Sequence, residues 1–299
     1  MSTCECFGAW TLKAYCVRIM CRNGQVYKKA SRTSNSSLQT TMSVSLQPLW
    51  NTLLLRYSPA RIAFFGTNAI QLTCFWFASA VYISLPYLFP AFSARHKFQK
   101  EEKQPTPTEI WDCFRVVFRN QVLSSALQLS IIGFDQFTGR RPTHRFDPIL
   151  PSLTEVVRDV ILCILIREVF AYYIHRHFLH HPSIYQTIHK PHHSFTPPIA
   201  LAAQYSTFRE HVLIGIIPIA SPPAILRSHV VTFWVFLSMQ LFETATMHSG
   251  YDFWAGFARR HDLHHEKFNV CFGPTGLLDW IHNTEWKNKA DMKAQGQVQ

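Results

Sequence analysis

From Ile62 to Phe92 the chain reads IAFFGTNAIQLTCFWFASAVYISLPYLFPAF, without one Asp, Glu, Lys or Arg. That exceeds the roughly 20 residues an α-helix needs to cross a bilayer. Inside lipid every backbone amide must be satisfied within its own segment, so such a run is expected to fold as helix. Pro86 and Pro90 should kink or end it. Charged residues make up 16% of the chain, below the roughly 25% of soluble domains, and there are 24 Phe and 8 Trp. The expected fold is all-α, a polytopic membrane helical bundle.

Further apolar stretches support that reading. Val116 to Phe134 is interrupted early by Arg119. Val212–Leu226 and Val230–Thr246, separated by Arg-Ser-His, could form a hairpin dipping into the bilayer. Ser152 to about His177 reads as a helix with Arg167 and Glu168 in mid-run. These charges either face solvent or line an internal site, where intramembrane charges usually sit. The expected division is a basic, poorly ordered region over 1–60, transmembrane segments over 61–150, a catalytic domain over 151–285 and a polar tail over 286–299. The positive-inside rule places residues 1–61 in the cytosol. The basic 95–103 loop makes the same claim, and both cannot flank one ordinary span on one side.

The net charge of +11 suits an anionic membrane surface or an acidic partner. Nucleic acid is disfavoured because no basic stripe accompanies a reader motif. None of the 8 cysteines forms a C-x-x-C pair, which argues against a disulfide framework or a zinc ribbon. A reducing compartment or membrane burial is expected instead. Residues 1–45 are polar and basic, unlike a secretory signal.

Histidine carries the chemistry. Of 16 histidines, most lie between His175 and His282. They group as His175, His177, His180 and His181; His189, His192 and His193; His248; and His261, His264 and His265. The second and fourth groups share the pattern H-x-x-H-H. On a helix, positions i, i+3 and i+4 share one face, so each triplet is expected to aim three imidazoles at one point. Two triplets supply more ligands than one tetrahedral ion accepts, and two ions in a shared cage are expected. Imidazole suits iron, zinc or copper, so the metal stays open. In the first group, helix geometry favours His177 with His181. His175 and His180, five apart, diverge by about 140° on an ideal helix unless a bulge near Phe178 brings them together. Glu168, Glu210, Asp252 and Asp262 are candidates to orient ligand imidazoles. No G-x-G-x-x-G fingerprint appears, so electrons are expected from elsewhere. Arg259, Arg260 and Lys267 beside the last triplet could dock an acidic donor.

The stretches HRHFLHH, IHKPHH, ETATMHSGYD and RRHDLHHEKFNVCFG resemble the fatty acid hydroxylase / sterol desaturase superfamily, and are closest in flavour to C-4 methyl sterol oxidases. The likeness covers roughly residues 155–285. It implies a multi-pass protein of the endoplasmic reticulum membrane, with a cytosolic-face di-iron site that uses O2 to hydroxylate or desaturate a sterol or other lipid. It also implies electrons from NAD(P)H through a reductase and cytochrome b5. The ligands it implies are His175, His180, His189, His192, His193, His248, His261, His264 and His265, with no separate catalytic group. A zinc-dependent hydrolase or isomerase, or a non-catalytic lipid-binding relative, is the alternative. Two departures stand out: Thr207 takes the place of a histidine common in relatives, and Cys271-Phe272-Gly273 stands where they tend to have Asn-Tyr-Gly.

Overall fold

The computed structural model describes residues 17–22, 25–30, 41–99, 104–196, 198–253 and 256–287, with the backbone alone for 17–30 and 41–45. It comprises two units, Met1–Thr41 and Met42–Gln299.

The first unit holds a two-stranded antiparallel ribbon, β1 (Val17–Arg22) and β2 (Gln25–Ala30), in which Arg22 pairs with Gln25 and Val17 with Ala30. Asn-Gly, the dipeptide most favoured in two-residue hairpin turns, separates the two strands in the sequence. The expectation of poor order over 1–60 rests on composition and does not weigh this dipeptide. The parts of that expectation falling on 1–16 and 31–40, and a frayed tail beyond 287, lie outside the described residues.

The second unit is helical. Helix α1 (Thr41–Arg56) is part of it: Trp50 is buried against Ile62 and Val230 and donates Nε1–H to the Asp147 carbonyl at 2.9 Å. Helices α2 (Pro59–Ile70) and α3 (Ala78–Leu88) are joined without a break by a π-helical stretch, Gln71–Phe77. After the short α4 (Pro90–His96) comes α5 (Pro107–Phe137), started by a Thr106/Glu109 capping box and by Pro107. In a capping box each side chain satisfies the other residue's free amide, which fixes where the helix begins. Helix α6 (Leu153–Tyr173) is capped by Ser152 and ends in a π turn, Ile174–Leu179. The chain continues through α7 (Pro182–Ile188), α8 (Phe208–Glu210), a π turn (His211–Ile216), α9 (Ile217–Ile225), α10 (Val230–Met247), α11 (Phe257–Lys267) and α12 (Leu277–Ile281).

Long helices connect two ends of a bundle. At one end Arg145 exchanges backbone hydrogen bonds with Ser228 and Val230. At the other, Phe98 N–H donates to the Gly250 carbonyl and Ser93 bonds the Tyr251 hydroxyl at 2.6 Å. Between them α2 and α10 touch closely: a Cβ on Gly66 would lie 2.1 Å from the Trp234 ring. Phe75, Cys113, Val117, Leu201, Leu237 and Leu241 fill the space among α3, α5 and α10.

Two described helices are long and apolar enough to cross a membrane, Pro59–Leu88 and Val230–Met247. Only 17% of the first one's apolar window is buried inside the protein, against 50% for the second. Phe65, Leu72 and Phe77 point outward at 64–69% exposure, a row of large apolar side chains that water would not tolerate. The expected Val116–Phe134 segment lies within α5, whose Asp112, Arg115 and Arg119 dilute it. The expected Val212–Leu226 segment is split between a π turn and α9.

Candidate metal centre

All nine histidines of the expected ligand set lie at the end of the bundle where α6 and α10 finish, in two groups. Cluster 1 is His175, His180, His189, His193 and His264; cluster 2 is His192, His248, His261 and His265. Within each cluster the ligand-capable nitrogens lie within 4.8 Å of one another.

The triplets do not converge as expected. His189 and His193 belong to cluster 1 while His192 belongs to cluster 2; His261 and His265 belong to cluster 2 while His264 belongs to cluster 1. The reason is angular. On α11 consecutive residues are about 100° apart, so His264 and His265 cannot face one point; His189 at the end of α7 and His192–His193 in the 3₁₀ turn that follows divide in the same way. Residues four apart stay together and the third member crosses over. Each doublet thus straddles the gap between the clusters.

In the first group, backbone geometry brings His175 and His180 together. In the π turn His180 N–H bonds the His175 carbonyl, five residues back, at 3.1 Å. Such a turn puts residues five apart on one side. His175 and His180 therefore meet, their ring centroids 5.0 Å apart. His177 stacks on Tyr173, and His181 caps α7, accepting from Ser183 N–H. Both are exposed and outside the clusters.

The inner nitrogens are close-set. In cluster 1, His189 Nε2 lies 3.1 Å from the Nε2 of His175, 3.1 Å from that of His180 and 3.0 Å from that of His193. In cluster 2, His261 Nε2 lies 2.8 Å from that of His248 and 3.0 Å from that of His265. Nitrogens about 2.1 Å from a metal are separated by about 3.0 Å at right angles and by about 3.4 Å in a tetrahedron. The observed edges match right-angled neighbours.

Five outer nitrogens are anchored, whereas His193 Nδ1 and His265 Nδ1 are buried without a hydrogen-bond partner. His175 Nδ1 pairs with the Phe272 carbonyl at 2.8 Å and His264 Nδ1 with that of Val270 at 2.7 Å. His189 Nδ1 pairs with Glu210 Oε1 at 2.7 Å. In cluster 2, His248 Nδ1 pairs with the Thr244 carbonyl at 2.8 Å and His192 Nδ1 with that of Tyr205 at 3.2 Å. A proton held at Nδ1 leaves Nε2 as a lone pair facing inward, which is the metal-binding tautomer. His264 Nε2 is buried without a hydrogen-bond partner. Burial keeps the rings neutral. It pulls His180 and His248 down to about 3 and His192 to about 4, and lowers the other six as well.

Glu210 is 1% exposed and its Oε2 has no hydrogen-bond partner. Burial pushes its carboxyl well above the ordinary carboxylate range. An ionised carboxylate buried this way is costly without a cation nearby, so a cation in cluster 1 would satisfy both it and the inward lone pairs. The residues fit a pair of metal ions.

Of the four carboxylates considered from sequence, Glu210 reaches an imidazole, that of His189. Glu168 accepts from the backbone N–H groups of Thr275 and Leu278, Asp252 from Gly256 N–H, and Asp262 from the Gln99 amide. Thr207 caps α8 by accepting from Glu210 N–H at 3.3 Å and donates to the Ile188 carbonyl, tying Glu210 to the residue before His189. The proposed docking cations are engaged. Arg259 pairs with Asp252, Lys267 with Glu266, and Arg260 donates to the Thr275 carbonyl and Asp279. Asp279, fully buried, was not singled out from sequence. A cavity of about 870 Å³ adjoins cluster 1 through His180, with Arg176, Tyr185, Gln186, Phe268 and Phe272 in its walls.

Known proteins resemble the chain over most of its length. The profile of the fatty acid hydroxylase family matches residues 160–284. Fatty acid hydroxylase domain-containing protein 2 of Homo sapiens is 31% identical over 80% of this chain and 72% of its own length. Methylsterol monooxygenase 1 of Danio rerio is 30% identical over 76% of this chain and 78% of its own. Cholesterol 25-hydroxylase of Mus musculus is 27% identical over 77% and 78%. The chain belongs to the fatty acid hydroxylase / sterol desaturase superfamily. No solved structure matches it.

Proposed function

We propose that this protein is a membrane-bound, non-haem di-iron oxygenase that hydroxylates or desaturates a sterol or other lipid using O2. The observation that supports this most is the pair of clusters: nine imidazoles, seven of them buried and two half-buried, gathered in two groups with their inner nitrogens close-set, in a chain related to named lipid oxygenases. His175, His180, His189, His193 and His264 would hold one ion, and His192, His248, His261 and His265 the other. Iron in such a cage supplies the capacity to bind and reduce dioxygen and to attack an unactivated C–H bond. Five imidazoles in cluster 1 exceed the four ligands of a typical zinc site, which favours iron over the zinc hydrolase alternative.

The chain's own residues do the positioning. Glu210 and the carbonyls of Val270, Phe272, Thr244 and Tyr205 fix the ligand tautomers. Tyr185, Phe268 and Phe272 give the cavity beside His180 an apolar wall for a lipid substrate, while Arg176, Gln186 and Asn269 offer hydrogen-bond donors to an oxygen on it. The apolar helices would embed the protein in the endoplasmic reticulum membrane as a multi-pass bundle. Electrons would come from NAD(P)H through a reductase and cytochrome b5.

The test is metal analysis and oxygen uptake on purified protein, combined with lipid profiling of cells with and without the gene. Iron, donor-dependent oxygen uptake and an oxygenated or desaturated lipid lost with the gene are expected. Bound zinc with hydrolytic turnover would establish the alternative instead.

A further inference from the structure

The loop from Phe268 to Gly276 is built under strain. Phe268 and Cys271 sit in the left-handed region, at φ 66° and 56°, which disfavours side chains other than Gly, Asn and Asp by roughly 1–2 kcal/mol each. Cys271 stands where relatives of the resembled type tend to carry Asn, a residue that tolerates this conformation. A loop so held needs restraints from outside it.

Two buried carboxylates supply them. Asp279, at the start of α12 and 0% exposed, accepts from Phe272 N–H through Oδ1 and from Gly273 N–H through Oδ2, both at 2.8 Å. Its Oδ1 also accepts from Thr284 Oγ1 at 2.7 Å, and Arg260 donates to Oδ2 at 3.3 Å. Glu168, on α6, accepts from Thr275 N–H at 2.8 Å and Leu278 N–H at 3.1 Å. The two carboxylates close on Gly273 from both sides: a Cβ there would lie 2.6 Å from Glu168 Oε1 and 3.1 Å from Asp279 Oδ2. The carbonyls that face away from this clamp, those of Val270 and Phe272, hold the Nδ1 atoms of His264 and His175. Both are cluster 1 residues. The anchors of cluster 2, Thr244 and Tyr205, lie elsewhere.

We infer that Asp279, with Glu168 behind it, is a positioning residue for cluster 1 alone. By clamping the 270–273 backbone it aims two carbonyls at His175 and His264, and so sets the tautomer and direction of two of that cluster's five imidazoles. This rests on the metal-cage reading above. Outer partners of metal-bound histidines typically contribute about 10- to 100-fold in metal affinity, so losing Asp279 should weaken one ion by that factor and leave the other unchanged.

The experiment is metal stoichiometry by elemental analysis on the full chain in detergent, at a buffered free-metal concentration just sufficient to fill both native sites, with the absorption spectrum of the cobalt-loaded protein as a second readout. The native protein should hold two ions. Asp279→Asn should hold one, with helical circular dichroism and melting temperature retained and the cobalt bands of one site gone. Adding His264→Ala to Asp279→Asn should remove nothing more, whereas adding His248→Ala should remove the second ion. General destabilisation would erode both ions and melting together, and that outcome overturns the inference. Two ions retained in Asp279→Asn also overturns it. Should that variant fail to accumulate, Glu168→Gln, which pulls on the same loop from α6, carries the test with the same one-ion loss expected and two retained ions as refutation. A native protein with no bound metal would instead overturn the cage reading itself.

Discussion

Cluster 1 and cluster 2 draw on the same two histidine triplets, yet the protein supports them differently. Cluster 2 leans on regular structure. His261 and His265 are one turn apart on α11, and His248 ends α10 with its Nδ1 turned back on that helix's own Thr244 carbonyl. Cluster 1 leans on irregular structure: a π turn, a strained loop and a buried carboxylate. It is also cluster 1 that meets the cavity, through His180. The difference teaches that the cluster nearer the cavity is aimed by parts whose geometry secondary structure does not dictate, so its precision depends on side chains two shells out.

The strongest way to break this comparison is to remove one ligand from each side. His264→Ala and His192→Ala are each expected to abolish turnover with the protein still in the membrane, but to lose different ions. His193→Ala should then behave like His264→Ala and unlike its neighbour His192→Ala. If His192→Ala and His193→Ala instead lose the same ion in metal analysis, the crossed assignment of the doublets is wrong.

Next in size is Glu210→Gln. The amide retains the shape but not the charge opposite His189, and cluster 1 affinity should fall roughly 10- to 100-fold. A competition titration with a chelator reads this directly, and an equal fall at both ions would contradict the one-sided role of Glu210.

A smaller contrast lies in the first histidine group. His175→Ala or His180→Ala should cost an ion, while His177→Ala and His181→Ala should keep both, since neither ring belongs to a cluster; His181→Ala gives up the α7 cap and with it about 1 kcal/mol of stability. Metal loss confined to the 177 and 181 variants would show that the π turn is not the working geometry.

The smallest effect is expected at Arg259, whose side chain is 65% exposed. Arg259→Glu should alter stability by no more than about 0.5 kcal/mol in a thermal melt. Arg260→Glu should do far more, because its side chain braces Asp279 and the Thr275 carbonyl. Equal effects from the two would mean that Arg260 is not a brace.

Much of this was legible in the sequence, and for identifiable reasons. A long uncharged run leaves few options, and Ile62–Phe92 is helical nearly throughout. Residue type announces imidazole clusters whatever the fold, so the grouped histidines stood out before their positions were known, and the resemblance narrowed them to nine. The resemblance chose His175 and His180 where ideal helix geometry chose His177 and His181, because a π turn leaves no mark in hydrophobic periodicity. The split of the α11 triplet was available in principle from the 100° step between adjacent residues. Asp279 was not: it sits in the short stretch LLDWI, and its role depends on backbone N–H groups that no side-chain pattern reveals. Arg260 looked like a surface cation for the same reason.

The H-H doublets have one more consequence. His192 and His193 are joined by one peptide bond, as are His264 and His265, and each pair divides between the clusters. Adjacent Cα atoms stand 3.80 Å apart across a trans peptide, a length that does not stretch. The spacing of the two centres is therefore tethered twice by covalent bonds, like two wheels on a pair of short axles. Changes in what occupies the gap can tilt the rings, but can separate the centres only by twisting both tethers together.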